Sequence, residues 1–413
     1  MLTHRLLENI EKRCVSPFYI MYPDRFKQNI KSFSDAFLSR YENFQISYSF
    51  KTNYTPPLLT LAKELNVFAE TVSQMEYEMA CKLGYKGDRI IFNGPVKKIC
   101  DIEKAILNGS IVNLDGEYET DFVERIKSKH PDKEIKVGLR INMEINTDSG
   151  KSAIQSGLKE SRFGHTIESL SRVIPRLKNA NIKIVSLHGH VSSTNRVVDN
   201  YILIAKKLLD IRSTFELNEI LYFDLGGGFF GATPKEISIV NKPTYDDYAE
   251  GICNILLQDN WFRKNKPFII IEPGTSVVCN VFELVTKVYQ RKQVGGKNFV
   301  IVDASRALVR PALGNTNYYF EIVSDKALEP TIVTDIVGST CMEVDVVADA
   351  VPMNHYSYGD YLIFKGLGAY RNNMLPFFIN ARPAIVSIIE DGFEIIRERQ
   401  TSNEMLNLLG YSL

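Results

Sequence analysis

The segment Phe268-Ile-Ile-Ile-Glu-Pro-Gly274 joins four consecutive apolar residues to an acidic residue and a turn. A strand that is apolar at every position is typical of a parallel sheet buried on both faces. Seven similar runs precede it, separated by segments that can form amphipathic helices. They are 47–52, 67–72, 89–94, 110–115, 134–142, 182–191 and 219–228. Eight strand–helix units in about 250 residues predict a TIM barrel, with an open doubly wound sheet as the alternative.

After Gly274 the sequence pattern changes. Short strand-like runs separated by Gly, Pro and Asn replace the strand–helix alternation, and they predict a second domain built on an antiparallel β-sheet. These runs are 282–289, 298–302, 331–337, 361–364 and 384–389. Pro17–Met21 is also strand-like, so we expect it to join the second domain. The predicted boundaries are 26–275 for the barrel and 276–413, with 1–25, for the C-terminal β domain.

Composition and charge narrow the class of partner. Of the 413 residues, 45% are hydrophobic and 24% are charged, which is typical of a globular rather than a disordered protein. Because 49 basic and 49 acidic residues cancel, no net charge attracts nucleic acid or an anionic membrane. We therefore expect the partner to be a small molecule or another copy of the chain.

The cysteines and the N-terminal residues favour a cytoplasmic protein. The six cysteines are widely and irregularly spaced without a Cys-x-x-Cys pair, so they predict neither a zinc site nor a disulfide framework. Residues 1–13 carry scattered charges and lack the apolar segment of a signal peptide. No run approaches the ~18 uncharged apolar residues that a membrane span needs.

Polar residues and glycines occupy the predicted carboxyl ends of the barrel strands, where TIM barrels place their catalytic groups. Burying polar groups without partners is costly, so their presence favours a functional site at this end. The residues at these ends are Lys51, Glu70, Asn93, Arg140, His190, Gly226, Gly227, Gly228 and Glu272.

Three of these features together favour a phosphorylated pyridine cofactor. Lys51, in Ser47-Tyr-Ser-Phe-Lys-Thr-Asn53, can have its amine pKa lowered at an apolar barrel mouth, as Schiff-base chemistry requires. The glycines of Phe223-Asp-Leu-Gly-Gly-Gly-Phe229 let backbone N–H groups approach a phosphate. Glu272 can hold a pyridine nitrogen protonated. Taken singly, each has a simpler interpretation: a lysine extending to solvent, a tight strand exit, and a carboxylate at an exposed turn.

Two histidines, His188 and His190, lie on one face of a predicted strand and could form a metal pair. No third ligand with suitable spacing accompanies them, so we predict no metal. We expect the imidazole of His190 to stack on a cofactor ring, with Ser193 directed toward a phosphate.

Together these motifs resemble the fold-type III pyridoxal-phosphate (PLP) decarboxylases, the ornithine and diaminopimelate decarboxylase family. The resemblance extends from about Pro17 to Pro383, with the motifs in the family's order. Tyr48-Ser-Phe-Lys-Thr-Asn53 is similar to the cofactor-lysine motif, and Glu272-Pro-Gly274 to the motif that contacts the pyridine nitrogen. The resemblance implies that the chain is a PLP-dependent decarboxylase with a TIM barrel. The predicted PLP-binding residues are Lys51, Glu70, Arg140, His190, Ser193, Gly226, Gly227, Gly228, Glu272 and Tyr370.

The second domain continues the resemblance. Arg310-Pro-Ala-Leu313 is similar to the segment that binds the substrate's carboxylate in diaminopimelate decarboxylases. Gly338-Ser-Thr-Cys341 resembles the family's Gly-Pro-x-Cys, which implies that Cys341 is a proton donor delivered to the neighbouring subunit's site. Gly368-Ala-Tyr370 matches a motif whose tyrosine lies near the cofactor phosphate. The resemblance therefore implies a homodimer with shared active sites, in which Lys51 and Cys341 are catalytic.

Four departures from the family pattern concern the substrate more than the cofactor. Met342 follows Cys341, where the family usually has Asp or Glu to engage the distal amine of the substrate. Thr275 replaces an arginine, Gly314 a tyrosine and Ser192 a glycine. Because Met342 cannot pair with an ammonium group, we expect a substrate without a free distal amine at that distance. Relatives with altered contacts include enzymes for citrate-linked diamino acids in siderophore biosynthesis, and we expect a diamino acid or such a conjugate.

Three alternatives remain at this point. The chain could be a diaminopimelate or ornithine decarboxylase for the free amino acid. It could be an alanine-racemase-like enzyme, although such enzymes place an arginine at the pyridine nitrogen, where Glu272 stands here. It could also be a decarboxylase-like regulatory protein, although such proteins typically lose cofactor contacts that this chain retains.

Overall fold

The structure is a computed structural model, and it describes the chain in ranges separated by short gaps. The described residues are 2–143, 159–191, 196–234, 242–309, 318–326, 330–353, 357–371, 373–374, 378–390 and 392–411. They divide into two compact units. The first comprises Lys27–Gly231 and Ile239–Val277, and the second comprises Met1–Phe26, Ala232–Ser238 and Val278–Leu413.

The secondary structure alternates between strands and helices up to about residue 278 and is mainly strands beyond it. The strands are β1 Phe18–Met21, β2 Phe44–Ser49, β3 Phe68–Thr71, β4 Ile90–Phe92, β5 Ile111–Leu114, β6 Ile135–Ile141, β7 Ile182–Gly189, β8 Tyr222–Asp224, β9 Phe268–Ile271, β10 Phe282–Val294, β11 Lys297–Val302, β12 Phe320–Val323, β13 Ile332–Val337, β14 Val346–Met353, β15 Tyr361–Phe364, β16 Ala384–Ile389 and β17 Gly392–Arg397. The helices are α1 His4–Cys14, α2 Pro23–Leu38, α3 Pro56–Glu64, α4 Gln74–Lys82, α5 Ile99–Leu107, α6 Glu117–Lys129, α7 Ile167–Asn179, α8 Val198–Thr214, α9 Tyr245–Leu256, α10 Asn260–Asn265, α11 Thr275–Val278, α12 Arg306–Val309 and α13 Ser402–Leu408.

The first unit contains a closed barrel of eight parallel strands, β2 to β9 in chain order, with β9 pairing back to β2. Each strand is short and almost entirely buried, and Ile91, Ile111 and Ile270 pack into one cluster that helps to fill the core. The predicted TIM barrel is confirmed, and the open sheet is excluded. Strand β2 begins and ends three residues earlier than predicted, because the backbone passes at Phe50–Thr52 into one turn of 3₁₀ helix that carries Lys51.

Polar side chains cap the first turn of three barrel helices, α4, α7 and α9. Ser73 accepts a hydrogen bond from the Glu76 N–H at the start of α4, and Thr166 caps α7 in the same way. Thr244 and Asp247 form a reciprocal capping box at the start of α9. These caps satisfy N–H groups that have no partner within the helix, and they stabilise the first turn of each of these three helices.

The second unit is built on a mostly antiparallel sheet in the order β14-β13-β11-β10-β1-β16-β17, with β15 pairing both β10 and β12. The predicted C-terminal β domain is confirmed, and β1 belongs to it. Two strand pairs, β1–β16 and β11–β13, are parallel, so the sheet is mixed rather than purely antiparallel. Strands β12, β14 and β17 were not predicted, because charged residues or a proline interrupt their apolar runs.

Helix α1 packs its apolar face on this sheet. Leu7, Ile10 and Cys14 are buried in one cluster with Phe18 and Val285. Within the described ranges, every helix is too short or too polar to cross a membrane.

Candidate active site

The Lys51 amine lies beside a buried carboxylate at the carboxyl end of the barrel. Lys51 Nζ donates to Glu70 Oε2 at 2.6 Å and to Ser49 Oγ at 2.7 Å. The side chain of Lys51 is 40% exposed, whereas that of Glu70 is 1% exposed. A lysine at the mouth is thus held by a carboxylate behind it, which can accept a proton from the amine.

A buried asparagine connects this pair to Glu272. Asn93 Nδ2 donates to Glu272 Oε1 at 2.6 Å and to Glu70 Oε1 at 3.2 Å. Asn113 Nδ2 in turn donates to Asn93 Oδ1 at 2.9 Å, which orients the amide. Asn93 therefore separates two acidic side chains that would otherwise face each other without a donor between them.

Glu272 also lies close to a second acidic residue and to a histidine. His188 Nε2 is 3.3 Å from Glu272 Oε2, and Asp224 has a carboxylate oxygen within 4.8 Å of both side chains. Burial, followed by the charge of Glu272, raises the pKa of Asp224 well above its usual value. Burial also acts to raise the pKa of Glu272, but His188, Lys51 and the contact with Asp224 outweigh it and lower that pKa. The two carboxyl groups are thus held with well-separated pKa values, a common property of active sites.

The three glycines after β8 differ in what their amides do. Gly226 N–H donates to Asp224 Oδ1 at 2.9 Å, and Gly227 N–H donates to His190 Nδ1 at 3.1 Å. The Gly228 N–H has no partner among the described residues, and its φ of +94° favours glycine. Gly228 is therefore the amide of this turn that remains available to an anion.

Gly227 lets the turn pack against the end of the neighbouring strand. A Cβ at this position would lie 2.3 Å from the carbonyl oxygen of Glu272, a separation that no side chain tolerates. The Tyr201 hydroxyl donates to the Gly227 carbonyl at 3.1 Å and holds the turn from its other side.

His190 is held as a neutral ring. Removal from water, reinforced by the positive charges of Arg140 and Lys51, lowers the pKa of His190 to about 3. Because Gly227 N–H donates to Nδ1, the ring proton of the neutral imidazole resides on Nε2. A neutral, flat ring with a fixed tautomer suits stacking on a heteroaromatic cofactor.

Arg140 belongs to a buried ionic layer beside these groups. Arg140 forms an ion pair with Asp115 at 2.9 Å, and its guanidinium lies 4.5 Å from the centre of the Phe163 ring. In the same layer Lys97 Nζ is 2.9 Å from Glu119 Oε1, and both side chains are 0% exposed. The sequence did not identify Lys97 or Glu119, since a loop lysine and a helical glutamate usually face solvent.

The predicted residues of the second unit occupy exposed positions. Cys341 and Met342 are exposed, and Tyr370 is exposed with a φ of +62°, an uncommon conformation for a tyrosine. Ser193 and Arg310 lie outside the described residues. All six cysteines are free thiols.

Several residues of the site were not predicted from the sequence, or were noted there without a role. Asn93 was noted at a strand end, whereas Asn113 and Asp224 are polar side chains inside otherwise apolar strands, and that contrast could have revealed them. His188 was considered only as a metal ligand. The spacing of His188, Asp224 and Glu272 would admit a small cation, but hydrogen bonds from Gly226 and Asn93 already occupy one oxygen of each carboxyl group.

A closed parallel barrel that presents a lysine, two carboxylates, a neutral histidine and a glycine turn at one end defines the class of TIM-barrel PLP enzymes. Residues 24–279 match the family described as "Pyridoxal-dependent decarboxylase, pyridoxal binding domain". The chain belongs to this family, and it is a PLP-dependent carboxy-lyase.

Known relatives cover almost the entire chain. The chain is 30% identical to the diaminopimelate decarboxylase of Helicobacter pylori over 402 residues, covering 95% of each protein. It is 28% identical to that of Aquifex aeolicus over 401 residues, covering 95% of this chain and 91% of the relative. The crystal structure of the Helicobacter pylori enzyme complexed with L-lysine superimposes with a TM-score of 0.83 at 27% identity, covering 98% of this chain and 99% of that one. The fold is shared with the Paramecium bursaria Chlorella virus arginine decarboxylase. That structure superimposes with a TM-score of 0.72 at 20% identity, covering 91% of this chain and 96% of that one.

The donor set at the barrel mouth fits PLP. A half-exposed amine can bond to its aldehyde, a buried carboxylate can face its pyridine nitrogen, and the open Gly228 N–H can face its phosphate. The glycine turn 226–228 packs closely against its neighbours and carries no Cβ atoms. Its backbone can therefore approach the phosphate closely.

Proposed function

We propose that this decarboxylase acts on an amino acid whose distal amine is acylated, substituted or absent, such as a diamino acid linked to citrate. The observation that carries the proposal is Met342, which follows Cys341 where relatives hold the distal amine with a carboxylate. A thioether cannot pair with an ammonium group, and an unpaired ammonium in a closed site is strongly disfavoured.

Asp345, one possible substitute for that missing carboxylate, is already engaged by neighbouring residues. Asp345 is 4% exposed and its oxygens are engaged: Oδ1 accepts from Arg306 N–H at 2.6 Å, and Oδ2 accepts from Thr340 N–H at 3.0 Å and from Thr340 Oγ1 at 2.6 Å. Asp345 thus supports its own turn and is not available to a substrate. In the segment 338–345 this leaves Glu343, which is exposed, as the competing carboxylate.

The roles of the barrel residues follow from their contacts. Bound PLP supplies an electron sink for the electron pair that remains when carbon dioxide leaves the α-carbon. Lys51 would hold the cofactor aldehyde, with Glu70 accepting the amine proton at 2.6 Å. Glu272 would keep the pyridine nitrogen protonated, and the neutral His190 ring would lie against the cofactor face. Gly228, with Ser193 and Tyr370, would hold the phosphate.

The remaining roles concern the substrate and the second copy of the chain. Cys341 would return a proton to the α-carbon in place of the carboxylate that departs. Its exposure in the second unit suits a residue that serves the site of a partner subunit, as the resemblance implies. Arg310 would bind a carboxylate of the substrate, and Met342 would contact its distal end. The protein would therefore act as a homodimer.

Steady-state kinetics tests the proposed substrate class. We expect kcat/KM for free ornithine, lysine and meso-diaminopimelate to be about 10- to 100-fold below that for the best conjugate with a blocked distal amine, as a missing hydrogen bond to a charged group predicts. Citrate-linked and acylated diamino acids are the conjugates to assay. A free diamino acid that equals or exceeds every conjugate would contradict the proposal.

Substitution at position 342 gives an internal check. Met342→Glu should raise kcat/KM for free diamino acids by about tenfold or more, because it restores a partner for the ammonium group. Val333→Glu adds the same charge at another exposed position of the second unit, so it should leave kcat/KM for free diamino acids unchanged. If Glu343→Gln in the otherwise unaltered chain abolishes use of a free diamino acid, Glu343 has taken over the contact and the proposal is wrong.

A second candidate is decarboxylation of free meso-diaminopimelate. It is favoured by the 30% identity to the Helicobacter pylori diaminopimelate decarboxylase over 95% of both chains. The same kinetic comparison decides between the two, because the candidates predict opposite rankings of the free and conjugated substrates.

A further inference from the structure

Asp224 is a buried carboxyl group to which the mechanism so far gives no role. It ends β8, is 0% exposed, and pairs across the sheet with His188 of β7 and Ile270 of β9. Its Oδ1 accepts the Gly226 N–H, whereas its Oδ2 is buried without a donor among the described residues. An ionised carboxylate with one oxygen buried and unpaired is a costly arrangement.

A proton on Oδ2 would remove that cost. A protonated Asp224 becomes a donor, and Glu272 has a carboxylate oxygen within 4.8 Å of an oxygen of Asp224. The other charged or titratable groups acting on this pair are His188 on β7, Glu70 on β3 and Lys51 after β2. Glu272 has the cationic or donor neighbours, namely Asn93, His188 and Lys51, so it is the better site for the negative charge.

We propose that Asp224 is a positioning residue that carries a proton at neutral pH and donates a hydrogen bond to Glu272, so that Glu272 is the single ionised carboxylate available to the pyridine nitrogen of the cofactor. The shared proton orients Glu272 between Asp224 and Asn93 and prevents two adjacent buried charges. The raised pKa of Asp224 and the lowered pKa of Glu272 agree with this assignment. It concerns the cofactor and holds whichever amino acid is the substrate.

The proposal predicts different outcomes for two substitutions of Asp224. Asp224→Asn preserves the acceptor for Gly226 and supplies an N–H donor toward Glu272, so it imitates the protonated acid. We expect its PLP dissociation constant to remain within about threefold of wild type. Asp224→Ala removes the donor and should weaken PLP binding about 10- to 100-fold, as expected for a lost hydrogen bond to a charged group. An ionised Asp224 would not be replaced by asparagine with full retention of affinity.

Infrared spectroscopy of the holoenzyme tests the protonation state directly. The difference spectrum of wild type minus Asp224→Asn at neutral pH should contain the carbonyl stretch of a protonated carboxyl group. Asp335→Asn is the matched control, because the oxygens of buried Asp335 already accept from Ala350 N–H at 2.8 Å and from Lys297 Nζ at 2.5 Å. Its difference spectrum should lack that band.

Glu272→Gln tests whether the charge of Glu272 keeps Asp224 protonated, because it leaves Asp224 itself intact. Its amide can donate to Asp224, which no longer faces a second negative charge, so the protonated-carboxyl band of Asp224 should disappear. The proposal is overturned if wild type minus Asp224→Asn shows only an ionised carboxylate, if the band persists in Glu272→Gln, or if Asp224→Asn loses PLP as severely as Asp224→Ala.

Discussion

The buried ion pair between Lys97 and Glu119 gives a prediction whose size can be worked out from its contacts. Both side chains are 0% exposed, and their charged atoms are 2.9 Å apart. Lys97 Nζ also donates to the Gly94 carbonyl at 2.7 Å, and Glu119 Oε2 accepts the Asp115 N–H at 2.6 Å. Lys97→Met removes the cation but leaves the carboxylate buried.

Removing one partner of a buried ion pair typically costs about 3–5 kcal/mol, because the other charge remains without compensation. Since Glu119 keeps the Asp115 N–H, we expect a loss near the lower limit, about 3 kcal/mol of unfolding free energy. In Lys97→Met/Glu119→Gln no charge remains, and the glutamine oxygen can still accept from Asp115. We expect this double variant to lose only about 1–1.5 kcal/mol, mainly for the unpaired Gly94 carbonyl.

The pH dependence of this loss has a definite sign. Burial raises the pKa of Glu119 above its usual value, and Lys97→Met removes the group that opposes this shift most. A carboxyl group with a higher pKa in the folded state binds more protons there than in the unfolded state. Its contribution to stability therefore falls as pH rises, and the deficit of Lys97→Met should be larger at about pH 8 than at about pH 5.5.

Urea denaturation followed by circular dichroism, with equal m-values required for all variants, measures these differences. A Lys97→Met protein within about 1 kcal/mol of wild type would refute the reasoning, as would a double variant no more stable than Lys97→Met.

Two further predictions concern the cofactor and the second copy of the chain. Gly227→Ala should weaken PLP binding at least about tenfold, because its Cβ would meet the Glu272 carbonyl at 2.3 Å; equilibrium dialysis measures this, and unchanged affinity would show that the turn relaxes. Homodimers of Lys51→Ala and of Cys341→Ala should each be inactive. Mixing them should restore about a quarter of wild-type activity if each site takes one residue from each subunit, whereas confirmed heterodimers without activity would argue against shared sites.

The sequence predicted the barrel because its strands are buried on both faces. Such strands appear as short continuous apolar runs, of which Phe268–Ile271 is the clearest, and eight of them in succession predict a TIM barrel. The pairing of β9 with β2, which excludes an open sheet, is visible only in the structure. The strands of the second unit were harder to predict. Val346–Met353 contains Asp349 and Pro352, which an edge strand with one exposed side can tolerate but which hide the pattern.

The groups expected to touch the cofactor were predictable, whereas their supporting partners were not. Lys51 and Glu272 stand at strand ends beside turns, where position alone suggests a function. The pairing of Glu70 with Lys51, of Asn93 with two carboxylates, and of Asp224 with Glu272 depends on the register between strands that are far apart in sequence. The glycine turn was recognised as a unit, but only the backbone geometry distinguishes Gly228 from the two glycines whose amides bind within the protein.

The hydrogen bonds that Asp345 accepts within its own turn affect how the substrate preference of such enzymes can change in evolution. Asp345 binds Thr340 and Arg306, and a Cβ at Gly338 would lie 2.3 Å from its carboxylate, so the ends of this segment are constrained by folding. Residues 342–344, which follow the proposed proton donor Cys341, are exposed and make few such contacts. Mutations there can accumulate without a penalty in stability, so new substrate preferences can arise by drift and selection at a few positions while the architecture is inherited unchanged.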